Sequence, residues 1–143
     1  MLRVGLVGCG TIGSRLALTL QRAYGKTARV VALHDRDPAR ALALQRRLTS
    51  SPPIVSLPAL IRRSDLVIEA ASASVASDVV QRAVRANRSV LVMSVGGLLR
   101  DRAWQRMARH SRGKIYLPSG ALAGLDGVKA MALGRLHRVS LTT

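Results

Sequence analysis

The feature that most restricts the fold is a glycine pattern near the N-terminus, Gly8-Cys9-Gly10-Thr11-Ile12-Gly13. The apolar residues 2–7 before it have the length of a buried strand, and residues 12–24 after it carry apolar side chains at helical spacing. A strand, a G-x-G-x-x-G turn and a helix in this order are typical of dinucleotide-binding α/β proteins. Asp35 completes the pattern, because it ends the next predicted strand 22 residues after Gly13.

Each residue of the loop has a separate physical role in such a site. Gly8 permits the tight turn, Gly10 leaves room for a pyrophosphate beside the backbone, and Gly13 lets the helix pack close to the strand. The free N–H groups of Thr11 and Ile12 are expected to face the phosphates, helped by the helix dipole. We therefore predict that this loop binds a dinucleotide cofactor.

The residues after the second predicted strand bear on which dinucleotide is bound. Asp35 is expected to accept hydrogen bonds from the hydroxyls of the adenine ribose, and its charge repels a 2′-phosphate, which favours NAD. Arg36 stands next to it and is able to accommodate the extra phosphate of NADP. The sequence leaves both NAD and NADP open.

Strand-length apolar runs and helical patterns alternate along the 143 residues. Asp37 and Pro38 are predicted as the N-cap and first residue of one helix, and Ser74 as the cap of another that runs to Ala86. No two predicted strands are joined by a tight hairpin, so we predict an α/β fold, a Rossmann-type doubly wound parallel sheet. The predicted strands are residues 2–7, 29–34, 65–70, 89–94 and 114–117, with a weak one at 54–55, and the predicted helices are 12–24, 37–48, 58–63, 74–86 and one opened by Asp101.

The carboxyl end of the strand at 65–70 is a second candidate for the site. Ligands of doubly wound sheets bind outside the carboxyl ends of the strands, which places Ala71 and Ser72 near the nicotinamide half. The alternative for this segment is a plain helix N-cap by Ser72 or Ser74. Glu69, in or at the end of the strand, is either catalytic or a hydrogen-bonded polar neighbour.

The charge of the chain raises a different function. Lys and Arg number 23 against 7 Asp and Glu, a formal net charge of +16, which suggests nucleic acid. The basic residues are scattered, however, and Trp104, Tyr24 and Tyr116 are the only aromatic residues available for stacking on bases. We therefore expect nucleic-acid binding to be the weakest of the candidate functions.

Composition limits the remaining classes of protein. Cys9 is the single cysteine, which excludes an intrachain disulfide, and no metal-ligand spacing is present, so no metal site is expected. The apolar runs are shorter than the roughly 20 residues of a membrane span. We expect a cytoplasmic protein without a membrane segment.

Four segments resemble the L-aspartate dehydrogenase family. They are residues 7–13 (VGCGTIG), 66–72 (LVIEAAS), 92–96 (VMSVG) and 118–126 (PSGALAGLD), and they occur in the family's order and spacing. The last segment is much more specific than the first, which many dinucleotide enzymes share. The resemblance implies NAD(P)-dependent oxidation of L-aspartate to iminoaspartate, which feeds pyridine-nucleotide biosynthesis or hydrolyses to oxaloacetate and ammonia.

The resemblance also implies roles for particular parts of the chain. Ala121 would lie at the nicotinamide, with Asp35 and Arg36 at the adenosine end. Residues 1–120 would form the dinucleotide-binding domain, and residues 121–143, with a predicted helix at 122–133 and strand at 138–142, the link to a second α+β domain. In the family that second domain carries the catalytic histidine and the dimer interface.

None of the three histidines of this chain, His34, His110 and His137, matches the family's catalytic position. The catalytic residue is therefore unknown and expected beyond Thr143, and a homodimer is expected of the full-length protein. Two alternatives stay open. One is a truncated, non-catalytic dinucleotide-binding module. The other is another amino-acid dehydrogenase or reductase sharing this half, such as one like homoserine dehydrogenase or dihydrodipicolinate reductase.

Overall fold

A computed structural model describes residues 1–99, 101 and 103–118, together with the isolated positions 134, 138 and 140. Within them, strands and helices alternate, and a 3-10 helix at Val95–Leu99 follows the fourth strand. The elements are β1 (Leu2–Val7), α1 (Thr11–Tyr24), β2 (Ala28–His34), α2 (Pro38–Gln45), α3 (Leu57–Arg63), β3 (Leu66–Glu69), α4 (Ala73–Arg85), β4 (Ser89–Val92), α5 (Ala103–Ala108) and β5 (Ile115–Tyr116).

The five strands form one sheet in the order β2-β1-β3-β4-β5, and every neighbouring pair is parallel. The predicted doubly wound parallel sheet is confirmed. The direction of winding reverses between β1 and β3, so the loops after these two strands separate and leave a crevice at the carboxyl edge. The glycine loop follows β1, and residues 70–72 follow β3.

Both faces of the sheet are covered, which explains why its strands are nearly continuous apolar runs. On one face Val67 packs in a cluster with Val79 and Val80 of α4, and on the other Ile68 shares a cluster with Ala17 and Leu44. Adjacent residues of β3 thus belong to opposite cores, as the two-residue period of a strand requires.

At two helix ends the structure differs from the prediction for a reason that the hydrogen bonds show. Helix α2 ends at Gln45 rather than Leu48, because the N–H groups of Arg47 and Leu48 bond to carbonyls three residues back and tighten the chain. The prediction that Ser74 caps α4 was wrong: the helix begins at Ala73, and the extended residue before it is Ser72. The Ser72 hydroxyl makes no capping bond and lies 2.8 Å from the Ser74 hydroxyl instead.

Some predicted elements are short or fall outside the structure. The weak strand at 54–55 is a single parallel bridge between Ile54 and Leu33. The predicted helix at 122–133 lies outside the described residues, and so does the predicted strand at 138–142 apart from positions 138 and 140. Among the helices that are described, none has the length and hydropathy needed to cross a membrane.

Candidate dinucleotide-binding site

The glycine loop is built so that two of its glycines are required by the fold itself. Gly8 has a φ of +93°, and a Cβ there would lie 2.5 Å from the Ala70 carbonyl oxygen. A Cβ on Gly13 would collide with the carbonyl oxygen of Gly8. The first glycine thus allows the turn and the third allows helix α1 to approach the strand, for the steric reasons that the sequence pattern indicated.

Gly10 is different, because the space in front of it is open. The nearest atom to a Cβ built there is Nη1 of Arg40, at 4.0 Å. Gly10 is also the N-cap of α1, with no side-chain cap and no acidic residue in the first helical turn. The first main-chain N–H groups of the helix, including those of Thr11 and Ile12, have no acceptor within the helix. Open space beside unpartnered donors at a helix N-terminus suits a phosphate group.

Asp35 links the glycine loop to the end of β2. Its Oδ2 accepts a hydrogen bond from the main-chain N–H of Cys9 at 2.6 Å, and its Oδ1 accepts one from the N–H of Asp37 at 2.8 Å. The Asp37 carboxylate in turn accepts from the N–H of Ala39 at 3.0 Å and caps α2, as predicted. Asp35 therefore holds the glycine loop in place as well as facing the crevice.

A cavity of about 270 Å³ lies at the carboxyl edge of the sheet, over the reversal between β1 and β3. It brings together six of the predicted site residues, Gly8, Gly10, Asp35, Arg36, Ala71 and Ser72. Thr11, Ile12 and Gly13 adjoin it in the first turn of α1. Ala121 lies outside the described residues.

Sequence reasoning missed several residues that line the same cavity. Arg40 comes from α2, Leu57 from the start of α3, and Val75, Asp78 and Val79 from α4. Val75 and Val79 are spaced so that they lie on one face of a helix, and the sequence shows this amphipathic pattern. The sequence does not show what that face contacts. Only the packing of α4 against the sheet places this face of the helix at the crevice.

Glu69 sits beneath the loop that forms one wall of the cavity, and its side chain is fully buried. Its Oε1 accepts from the N–H of Ala71 at 2.8 Å and from the Ser94 hydroxyl at 3.1 Å, while Oε2 accepts from the Ser94 N–H at 3.1 Å. Of the two predicted possibilities, the structure supports the hydrogen-bonded neighbour. The carboxylate ties the loop after β3 to the loop after β4.

The remaining polar groups near the loop have local partners. Burial, and then the negative charge of Asp35, raise the pKa of the Cys9 thiol to about 12, so the thiol stays protonated at neutral pH. The Nδ1 atom of His34 lies 2.9 Å from the Val55 carbonyl oxygen. The burial of the Cys9 thiol and the backbone contact of His34 fit structural roles for these two residues.

Comparison with known proteins identifies the family. A family model described as "Homoserine dehydrogenase, NAD binding domain" matches residues 8–118, which is most of the chain. The chain belongs to this family of NAD-binding domains. The prediction of NAD or NADP as the cofactor is confirmed at this level.

The similar curated proteins carry the name of the family that the sequence resembles. The L-aspartate dehydrogenase of Methanocella arvoryzae is 38% identical over 100% of this chain and 54% of its own length. Those of Bradyrhizobium diazoefficiens and Methanocaldococcus jannaschii are both 37% identical, over 99% and 100% of this chain and 50% and 55% of their own lengths. The chain thus spans about half the length of the curated relatives it matches.

Solved structures of lower identity agree on the fold. A putative myo-inositol dehydrogenase from Sinorhizobium meliloti superposes with a TM-score of 0.69 at 22% identity, over 82% of this chain and 36% of that one. A homoserine dehydrogenase from Thiobacillus denitrificans has a TM-score of 0.67 at 21% identity, over 81% of this chain and 29% of that one. These similarities show that the described part of the chain shares its fold with part of each of these proteins.

Proposed function

We propose that this chain is the NAD(P)-binding domain of an L-aspartate dehydrogenase, which oxidises L-aspartate to iminoaspartate and so yields oxaloacetate and ammonia. The observation that carries the proposal is similarity to L-aspartate dehydrogenases along the whole chain, at 37–38% identity for the three described above. The glycine loop and its cavity supply the matching physical site.

The proposed roles at the phosphate end follow from the loop geometry. Gly8 and Gly13 shape the turn, and Gly10 leaves the backbone accessible. The N–H groups of Thr11 and Ile12 would bind the pyrophosphate, since they lie at the positive end of α1. A side chain at position 10 would fill the space that the phosphates need.

The proposed roles at the two ends of the dinucleotide follow from the strands. Asp35 and Arg36, at the end of β2, would contact the adenine ribose. Ala71 and Ser72, after β3, would contact the nicotinamide half, where the resemblance also places Ala121. All but Ala121 line the same cavity, which supports one continuous binding cleft.

A bound NAD(P) would supply the nicotinamide ring as the hydride acceptor for oxidation of the amino acid at Cα. The residues of this chain hold and orient the cofactor for that transfer. The ring Nδ1 atoms of His34 and His110 are engaged with backbone carbonyls, at 2.9 and 3.1 Å, and neither is offered as the catalytic histidine. We propose that this histidine and the dimer interface belong to a further domain, that residues 121–143 lead into it, and that the protein works in the cytoplasm.

A second candidate is homoserine oxidation, which the description of the matching family model favours. The two chemistries differ at the oxidised carbon. Aspartate loses hydride from the carbon that bears its amine and the product releases ammonia, whereas homoserine is oxidised at its hydroxyl-bearing carbon and keeps its amine. Ammonia release therefore separates them.

The test uses the full-length gene product with NAD⁺ or NADP⁺, following the absorbance of the reduced nicotinamide and the release of ammonia. Turnover with L-aspartate and stoichiometric ammonia is the expected result. Turnover with L-homoserine alone transfers the assignment to the second candidate. Tight cofactor binding without turnover on either amino acid indicates a non-catalytic binding module.

A further inference from the structure

Positive charge is concentrated at the amino edge of the sheet, the edge at which the parallel strands begin and which lies opposite the cavity. Arg3, Arg29, Arg88 and Lys114 lie there, together with arginines from the ends of the helices, and these residues form the basic edge. We propose that the basic edge binds the phosphate backbone of double-stranded nucleic acid without reading its sequence. The inference goes beyond the proposed oxidoreductase and does not depend on its cofactor or its amino acid.

The first part of the basic edge is a row of cations where four of the five strands begin. Arg29 is the second residue of β2 and Arg3 the second of β1, and the two are partners in the sheet. Arg88 directly precedes β4, and Lys114 precedes β5 and accepts a hydrogen bond from the N–H of Val90 at 2.8 Å through its carbonyl. Neighbouring strands lie about 4.8 Å apart, so a row across five strands is about 19 Å long. The parallel topology thus aligns cations that are far apart in the sequence.

The second part comes from the helices. Helices that connect parallel strands run opposite to them, so their last turns lie at the same edge. Arginines stand in or just after the last turns of α1 to α4, and the exposed ones include Arg22, Arg47, Arg62, Arg63 and Arg85. The helix dipole favours cations at these ends. It does not account for the cations at the strand starts, so capping of helices explains only part of this surface.

Acidic residues do not balance this charge. Of the six acidic residues that the structure describes, only Asp65, directly before β3, lies at the basic edge. Its Oδ1 is 2.6 Å from Nη2 of Arg3 and 4.0 Å from Nη1 of Arg88. The other five follow a strand, precede a helix or lie in the first half of one, and they are Asp35, Asp37, Glu69, Asp78 and Asp101. One carboxylate beside so many cations leaves the basic edge strongly positive.

The kind of polyanion follows from the side chains of the basic edge. Single-stranded nucleic acid is bound by stacking bases on aromatic rings, and Tyr24, at the end of α1, is the only aromatic residue that the described chain places here. A duplex keeps its bases stacked inside and presents about one phosphate charge per 1.7 Å, so a row of about 19 Å faces about 11 charges. An arginine guanidinium binds a phosphate through two parallel hydrogen bonds. The scatter of basic residues along the sequence counts against nucleic acid, but folding gathers them, and the shortage of aromatic rings counts only against single strands.

The test is fluorescence anisotropy of a labelled DNA duplex of arbitrary sequence, about 20 base pairs long, with the full-length protein at about 50 and about 200 mM salt. If about five phosphates are contacted, the logarithm of the affinity falls against that of the salt concentration with a slope of about −4.5. Binding then weakens about 500-fold between the two concentrations.

Paired substitutions locate the surface. Arg29→Gln with Lys114→Gln removes two charges from the row and should reduce the magnitude of the slope by about two and weaken binding at the lower salt about tenfold or more. The matched control is Arg15→Gln with Arg40→Gln, which removes two exposed charges from the first halves of α1 and α2, toward the other edge. The control should keep the slope and change the affinity less than about twofold, because charges beyond about 10 Å are screened. Both pairs replace exposed side chains and should keep the wild-type melting temperature.

A second pair at the basic edge guards against a local effect of the first. Arg62→Gln with Arg63→Gln, at the end of α3, should act in the same direction. The same titrations are repeated with one strand of the duplex alone and with vesicles of phosphatidylserine and phosphatidylcholine.

Five outcomes overturn the inference. They are absence of duplex binding at low salt, binding that does not weaken with salt, and equal losses in the edge and control pairs, which reduce the effect to net charge. The fourth is tighter binding of the single strand than of the duplex. The fifth is binding to the vesicles without binding to the duplex, which assigns the basic edge to an anionic membrane. The aspartate assay bears on none of these measurements, so the two proposals fail separately.

Discussion

Replacing Glu69 by glutamine tests whether the buried carboxylate holds the two loops at the carboxyl edge of the sheet. The substitution keeps the shape of the side chain, so it creates no cavity. In the native protein, Oε1 accepts from Ala71 N–H and the Ser94 hydroxyl, and Oε2 accepts from Ser94 N–H. Glutamine can retain the first two bonds, but its amide nitrogen then faces the N–H of Ser94, and two donors oppose each other.

The expected cost follows from that one lost interaction. A hydrogen bond to a charged group contributes about 1.5 to 3 kcal/mol, and its loss leaves the Ser94 N–H without a partner. Relief from burying a charge offsets part of this. We expect Glu69→Gln to lower the free energy of unfolding by about 2 kcal/mol, and a domain of this size then melts about 8 °C lower.

The assay is urea unfolding of wild type and variant, with the slope of the free energy against urea compared as well as the midpoint. Ser94→Ala removes only the hydroxyl donor and should cost about 1 kcal/mol. Asp78→Asn, which alters an exposed acid on α4, should cost less than about 0.5 kcal/mol. A Glu69→Gln protein with the wild-type midpoint and slope would refute the reasoning, since the carboxylate would then add nothing over an amide.

Three further outcomes are expected from the glycine loop and the edge of the sheet. Gly10→Val should leave the melting temperature nearly unchanged but abolish NAD(P) binding in a titration. Gly13→Ala should destabilise the fold by about 3 kcal/mol or more, because its Cβ would meet backbone atoms. A larger loss of stability for Gly10→Val than for Gly13→Ala would contradict the geometry. Burial and a nearby carboxylate raise the pKa of the Cys9 thiol to about 12. Cys9 should therefore resist iodoacetamide in the folded protein at neutral pH and react once urea unfolds the protein. Rapid alkylation of the native protein counts against a buried thiol. Hydrogen bonds from Arg3 lower the pKa of Asp65 from 3.8 to about 2, so the stabilising contribution of Asp65 is present above about pH 4 and lost as the pH falls through about 2. An Asp65→Asn variant should lose stability less steeply over that range. A loss of stability with falling pH that equals the wild type's would speak against the Arg3–Asp65 ion pair.

Much of the fold was accessible from the sequence, because periodicity and turn chemistry are local. The strand–glycine–helix pattern at residues 2–24 and the Asp37-Pro38 start of α2 required no knowledge of distant contacts. The Ser74 cap was wrong because two serines, Ser72 and Ser74, are available at the start of α4, and the sequence pattern does not distinguish between them. The end of α2 was missed by three residues because a final 3-10 turn leaves no sequence mark.

The residues of the candidate site also fall into those that the sequence pattern brings together and those that only the folded structure does. The glycine loop, Asp35 and Arg36 are consecutive or are placed by strand ends, so their association follows from the pattern alone. The positions of Arg40 and Glu69 at the site do not, because they depend on contacts between elements far apart in the chain. Glu69 accepts from Ser94, 25 residues further on, and Arg40 reaches the open face of Gly10 from another helix.

The sequence by itself determined the class of fold, the phosphate-binding loop and the family resemblance, since each depends on short-range pattern. The tertiary structure decided which glycines are required by packing, that Asp35 holds the glycine loop as well as facing the cavity, and that a second arginine stands over Gly10. The physical reason is that charge balance and steric fit are properties of surfaces brought together by folding. They cannot be assigned to any one stretch of the chain.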